Sequence, residues 1–350
     1  MEILVLGGTG AMGVPLVELL SKENHVIVTT RSERKNKPNV TYLTGNAKDH
    51  VFFSKLMTRL YDVIVDFMVY DTAEFEQRMN VLLEHTKQYL FFSSSRCYAD
   101  SKVRIKEDSS RLVDVCDDSE YLAIDEYGMA KGREENLLQN SGKKNWTIIR
   151  PYITYNDYRI QLGVYEKENW LRRALEGRTV VFPEDMASKK TSLTYGPDVA
   201  GAIIALIGNE RALGEAFHIT TEESHTWGEV LSFYCEKIEE ITGKTIKVKL
   251  IPSSTGLMSV WNQWQIKYDR LFDRTFDNSK IENVRGKYTY KPTFEGLGDC
   301  LEKFISNPKW LGMNVVYEAW CDRQCGEWTP LHEIPGKRAK LSYLKHRFLR

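Results

Sequence analysis

Apolar residues follow two alternating patterns over the first 150 positions. EILVLG (2–7) is an unbroken run of Ile, Leu and Val, as in a strand buried on both faces of a parallel sheet. GVPLVELLSKEN (13–24) switches to helical spacing, HVIVTT (25–30) returns to strand, and TYLTG (41–45) predicts a shorter third strand. HVFFSKLMTRL (50–60) predicts a helix and DVIVDFM (62–68) a fourth strand. EFEQRMNVLLEHTK (74–87) then reads as helix, QYLFFSSS (88–95) as strand, EYGMAKGREENLLQNS (126–141) as helix and NWTIIRP (145–151) as strand. Strands alternating with helices of this length predict βαβ units, and so an α/β fold with a doubly wound parallel sheet.

Beyond residue 151 the pattern loosens. ENWLRRALEG (168–177) predicts a helix, DVAGAIIALIGNER (198–211) an apolar helix capped by Asp198, and GEAFHIT (214–220) a strand. HTWGEVLSFYCEKIEEITG (225–243) is a long amphipathic helix and TIKVKLIP (245–252) a half-buried strand. The tail from about 309 is rich in Trp, Arg and Lys and shows no clear period. These patterns predict a first domain over 1–150, with 190–220 returning to it, and a smaller C-terminal lobe from 151–189 and 221–350.

Composition alters this picture little. The chain is 42% hydrophobic and 27% charged, and Lys+Arg and Asp+Glu both count 48, so it carries no formal net charge. A nucleic-acid binder usually shows a basic excess, so the balance disfavours that role. The opening MEILVLGG lacks a basic leader and no apolar run reaches membrane-spanning length, so a cytoplasmic protein with no membrane partner is expected. Six scattered cysteines suggest reduced thiols; only Cys321 and Cys325 lie close together, and no second pair completes a zinc site.

Candidate chemistry begins at LVLGGTGAMG. Gly7, Gly10 and Gly13 have the G-x-x-G-x-x-G spacing after a strand and at the start of a helix. Such glycines allow a tight turn and let backbone N–H groups approach a pyrophosphate at the positive end of the helix, which predicts a Rossmann-type dinucleotide site. Thr9, Ala11 and Met12 lie within this turn. The second strand ends in Thr30, Arg31 and Ser32, with no acid to hydrogen-bond a ribose 2′-hydroxyl. The planar fork of Arg31 suits a 2′-phosphate, which favours NADP with NAD as the alternative; Arg31 could equally stack on the adenine or face solvent.

Tyr127 and Lys131 stand four apart on one helical face. With the glycine turn and FFSSSRCY (91–98), they resemble the extended short-chain dehydrogenase/reductase family, the NAD-dependent epimerases and dehydratases that act mostly on nucleotide sugars. The resemblance covers roughly residues 1–255 and includes IIRP (148–151) and TYGPDVAGAI (194–203). It implies that Pro151 borders the nicotinamide, that Lys131 hydrogen-bonds the nicotinamide ribose, and that dimerisation through a helix bundle is a family expectation. TGNAKD (44–49) resembles the loop against the adenine but carries Asn46 where an acid is usual.

The chemistry of the trio follows from charge. A free phenol titrates near about 10. An adjacent ammonium and a cationic nicotinamide favour the phenolate, making Tyr127 a usable acid/base for an alcohol that loses its hydride to the cofactor. The family pattern, counted back from Tyr98, assigns the orienting hydroxyl to Ser94, with Ser95 the close alternative. Sugar 4,6-dehydratases carry an Asp-Glu pair where this chain has Ser95 and Arg96, which disfavours dehydration. Cys97 reads as a packed thiol. Phe67, Met68 and Tyr70 end the fourth strand where the family has small residues, either shaping the substrate pocket or packing in the core. The Trp-rich SVWNQWQIKYDRLFDR (259–274) could stack a base or sugar, but packing is favoured. The implied function is an NAD(P)-dependent epimerase or ketoreductase acting on a nucleotide-activated sugar. The alternative is a non-catalytic binding protein, for RNA or a metabolite, on an atypical version of the fold.

Overall fold

The N-terminal apolar run becomes the centre of a sheet. A computed structural model of the chain describes residues 1–348. In it β1 (Glu2–Leu6), β2 (His25–Thr30), β3 (Val40–Thr44), β4 (Tyr61–Asp66), β5 (Thr86–Phe92) and β6 (Trp146–Pro151) run parallel, with Glu215–Ile219 at the edge beside β6. Among the described residues the order across this sheet is β3-β2-β1-β4-β5-β6 and then Glu215–Ile219. The order reverses between β1 and β4, so a crevice opens at the carboxyl ends of those strands, where doubly wound sheets bind ligands.

Alternation along β1 shows why the sheet needs two layers of helices. Ile3 and Val5 face Leu16 and Val17 of α1 (Gly13–Leu20) and Val199 and Ile203 of the helix Gly196–Ile204. Leu4 and Leu6 face the other way, with Phe53 of α2 (His50–Leu56), Phe75 and Leu82 of α3 (Thr72–Glu84), and Leu138 further along the chain. All four β1 side chains are fully buried, each contributing about 1.5–3 kcal/mol. Two short helices, α4 (Leu112–Val115) and α5 (Ser119–Leu122), precede α6 (Tyr127–Gln139), which carries Leu138. A separate core gathers Trp170, Trp227, Tyr234, Leu301 and Tyr317 from the later chain. Among the described residues no helix is long and apolar enough to cross a membrane.

Several sequence expectations shift. Helix α1 ends at Leu20, short of 24, because the Asn24 amide donates to the Leu20 carbonyl and turns the chain toward β2. Asp198 does not cap its helix, which begins two residues earlier with Pro197 in its first turn. The Asp198 carboxylate instead accepts from the Tyr288 hydroxyl at 2.8 Å and the Lys291 backbone N–H at 2.7 Å. The strand at Val248–Ile251 pairs with Val180–Pro183 and is mostly exposed, not half-buried. The tail, which shows no period, contains helices Val315–Cys325 and Gly336–Phe348. The buried face of Val315–Cys325 carries Glu318 and Asp322, paired with buried Arg173 at 2.6 and 2.9 Å, so hydrophobicity does not mark that face.

Candidate active site

The turn after β1 is built from close backbone approaches. Gly7 has φ +71°, a left-handed conformation that glycine adopts without steric cost. A Cβ on Gly13 would lie 2.6 Å from the Gly8 carbonyl carbon, and one on Gly8 2.6 Å from a Val5 methyl. Gly8 therefore matters as much as the three glycines the motif identifies. Around Gly10 the situation reverses: a Cβ there would meet nothing within 4 Å. Helix α1 begins at Met12 and Gly13 with no side-chain cap. Open space over Gly10 and an uncapped helix start together fit a pyrophosphate held by backbone N–H groups.

This contrast gives two expected outcomes. Gly13→Ala should force the turn apart, costing about 1–3 kcal/mol of stability as well as dinucleotide affinity. Gly10→Ala should leave the melting temperature of the free protein unchanged yet weaken dinucleotide binding. Thermal unfolding without ligand, followed by fluorescence titration with NADPH, separates the two; equal stability losses would refute the distinction.

A cleft of about 380 Å³ is lined by Gly7, Thr9, Arg31, Asn46, Phe67 and Met68, among others. Arg31 is exposed on the cleft wall, and Ser32 is exposed beside it. The Asn46 side-chain oxygen accepts the Lys48 N–H at 3.1 Å, so it braces its own loop. Phe67 packs against Phe92 with ring centroids 4.1 Å apart. Tyr70 is core: it is buried, and its hydroxyl donates to Asp66 at 3.1 Å.

The candidate hydroxyl centre lies beyond the glycine turn. Ser94, Tyr127, Met12 and Pro151 line one pocket of about 270 Å³. A third cleft, of about 790 Å³, takes in Thr9, Gly10 and Ala11, and it shares Thr9 with the cleft beside Arg31 and Arg159 with the Tyr127 pocket. Ser94 ends β5's extension with its hydroxyl accepting the Arg96 N–H at 3.2 Å. Ser95 is fully buried and its hydroxyl donates to the Arg150 carbonyl at 2.9 Å, away from this pocket. Cys97 is likewise fully buried, and burial pushes its thiol up to about 12.

Tyr127 is the first residue of α6, set there by Glu126, whose carboxylate accepts the Gly128 N–H at 2.9 Å and caps the helix. The same carboxylate accepts from Arg96 at 2.6 Å. The Arg96 guanidinium carbon lies 5.2 Å from the Tyr127 ring centroid and the Lys131 ammonium 5.9 Å, so two cations flank the phenol. Lys131 is buried, does not itself line the pocket, and donates to Glu134 at 2.8 Å. Burial drives the Glu134 carboxyl up to about 7 against the pull of the Lys131 charge. Asp66, at the end of β4, is raised to about 6 by burial while accepting from Tyr70, Tyr89 and the Met68 N–H.

A second set of residues escaped the sequence reading. Gln265 and Arg270, from the Trp-rich stretch, line the Tyr127 pocket. The tryptophan Trp264 in that stretch instead stacks on Tyr121 at 5.2 Å, which is packing. Glu135 accepts from Arg150 at 2.8 and 2.7 Å, from Arg111 at 3.0 Å and from Ser93, all inside the protein. Burial opposes the Glu135 charge, but the Arg150 guanidinium and its hydrogen bonds hold the carboxyl below the ordinary glutamate range. This clamp fixes the ends of β5 and β6 and the middle of α6 relative to one another. Among the described residues no group of three or more His, Cys, Asp or Glu could hold a metal ion.

Comparison with known proteins adds relatives to this geometry. The model of the NAD dependent epimerase/dehydratase family matches residues 3–220. Chloroplast stem-loop binding protein of 41 kDa b from Arabidopsis thaliana is 30% identical over 246 residues, or 65% of this chain and 60% of that protein. The chain thus spans less than two thirds of that relative's length. The 2'-dehydrokanamycin reductase of Streptomyces kanamyceticus is 20% identical over 298 residues, covering 82% of this chain and 80% of the reductase. A crystal structure of UDP-glucuronic acid 4-epimerase from Bacillus cereus, with UDP-glucuronic acid and NAD, shares the fold at TM-score 0.65 and 16% identity, covering 87% of this chain and all of that one.

Proposed function

The chain belongs to the NAD-dependent epimerase/dehydratase family, and from that premise we propose that it is an NAD(P)-dependent epimerase or ketoreductase acting on a nucleotide-activated sugar. One observation carries the proposal: Ser94 and Tyr127 face a single pocket with Met12 and Pro151, immediately past the open glycine turn. In this reading residues 1–150 and 190–220 hold the dinucleotide, and 151–189 and 221–350 hold the sugar nucleotide. Gly7, Thr9, Gly10, Ala11 and Gly13 receive the pyrophosphate, Arg31 and Ser32 the 2′-phosphate of NADP, and Asn46, Phe67 and Met68 the adenosine side. When bound, the dinucleotide supplies the hydride acceptor or donor.

The chain's own groups move the proton. Tyr127 takes the proton from a ring hydroxyl or returns it, a role worth about 10²–10⁴-fold in rate. Ser94 donates to and orients the same substrate oxygen. Lys131 favours the phenolate by its charge, and an ammonium has three N–H donors, so its bond to Glu134 leaves two for the ribose. Ser95 and Arg96 offer neither the acid nor the base that sugar dehydration needs.

The test is whether the purified protein holds its cofactor or consumes it. An epimerase keeps NAD bound through each turnover, whereas a reductase steadily removes the absorbance of added NADPH when a keto-sugar nucleotide is present. Tightly held dinucleotide with no net NADPH loss rejects the reductase. Failure to bind either dinucleotide rejects both. A second reading, an RNA-binding protein, draws on the stem-loop binding for which the Arabidopsis relative is named and on the exposed Lys337, Arg338 and Lys345 of the helix Gly336–Phe348. Intact physiological activity in Tyr127→Phe would favour it.

A further inference from the structure

The pocket that holds Ser94 and Tyr127 is cationic. Arg96, Arg159 and Arg270 line it and no carboxylate does. The adjoining cleft has mixed charge, with Glu18, Asp157, Glu166 and Glu168 beside Arg34 and Lys167. The bias does not extend into that adjoining cleft; the separate cleft beside Arg31 is also cationic, with Lys48 and no carboxylate.

These guanidiniums keep unused donors. Arg96 gives one N–H to Glu126, while its Nε lies 3.7 Å from Asp269 and is buried with no acceptor. Its Nη1 donates to no described residue. Arg270 is almost fully buried; its Nε donates to the Gly163 carbonyl at 2.9 Å and its Nη1 pairs with Asp269 and Tyr152. Its Nη2 donates to no described residue. Arg159 has only a loose 3.8 Å pairing with Glu166. Arg96, Arg270 and the buried Arg274 surround just two carboxylates, Glu126 and Asp269, so one positive charge is uncompensated even before Arg159 is counted. A partly buried, uncompensated charge is unfavourable unless an anion joins it.

We infer that the reacting sugar carries a carboxylate, bound by Arg96 together with Arg270 and Arg159 beside the Tyr127 hydroxyl. The inference rests on the reading of Ser94 and Tyr127 as the reaction centre. A guanidinium matches a planar carboxylate, and the Arg96 Nη1 keeps N–H donors that no described residue takes.

Calorimetric titration of the dinucleotide-loaded full chain tests this with UDP-glucuronic acid, UDP-glucose, UDP, free glucuronate and free glucose. The acid should bind at least about ten-fold more tightly than its neutral counterpart, one strong charged hydrogen-bond pair's worth. Arg96→Met should erase that ratio, Arg96→Lys keep part of it, and none should alter the affinity for UDP. Equal affinity for UDP-glucuronic acid and UDP-glucose overturns the inference. So does an Arg96→Met loss that is as large for UDP, since the cations would then serve the diphosphate. Should Arg96→Met fail to fold, the wild-type ratio and its reduction in the half-exposed Arg159→Met decide. If free glucuronate is preferred over glucose but UDP adds no affinity, the nucleotide part of the proposed function fails while the carboxylate site stands.

Discussion

Tyr127→Phe should lower kcat by about 10²–10⁴-fold while the protein folds and binds dinucleotide as before. The expectation rests on how little else the hydroxyl does. It donates to no described residue, so its removal strands no partner. The ring, held over by Arg96 at 5.2 Å and Lys131 at 5.9 Å, stays in place in the variant. Loss of a proton-transfer group that touches no structural partner should appear in kcat alone. Lys131 is a poorer probe of the same chemistry. It is buried with Glu134, so removing it leaves a carboxylate unpaired inside the protein and mixes stability with catalysis. A Tyr127→Phe enzyme with a normal kcat, measured on the physiological substrate, would remove the phenol from the mechanism.

Glu135→Ala should be the most destabilising single change near the site. Glu135 is fully buried and receives Arg150 twice, Arg111 and Ser93. Deleting one side of a buried ion pair leaves the other charge uncompensated, at a cost of about 3–5 kcal/mol. At roughly 2–4 °C per kcal/mol for a chain of several hundred residues, the melting temperature should fall by roughly 10 °C. Activity should fall as well, because the same carboxylate ties Ser93, next to Ser94, to Arg150, next to Pro151. Glu135→Gln keeps the shape and some hydrogen bonds and should lose less. A melting temperature unchanged in Glu135→Ala would show that the arginines find other partners.

What the sequence made legible follows one rule: it is local or periodic. The run EILVLG, the glycines at 7, 10 and 13, and the Tyr127–Lys131 spacing each mark their element within a dozen residues. Asp198 misled because a helix-start acid usually caps, and its true partners, Tyr288 and Lys291, lie about ninety positions away. The tail helices stayed hidden because the buried face of Val315–Cys325 is ionic, satisfied by Arg173. Glu134 was invisible as a partner of Lys131 because a charge on a helix is ordinarily solvated; only the packing of α6 against β5 shows that it is not. Arg270 and Gln265 reach the pocket from a stretch whose tryptophans drew attention for a different reason. Gly8 could have been found, since a second glycine beside Gly7 and just before the helix suggests another close backbone approach.

The most direct test of the central claim is a crystal structure of the chain soaked with NADP or NAD. The account predicts a pyrophosphate over Gly10 and the start of α1, with the nicotinamide ring in the pocket of Met12, Ser94, Tyr127 and Pro151. A dinucleotide bound with its nicotinamide turned out of that pocket, or none bound at saturating concentration, would contradict it.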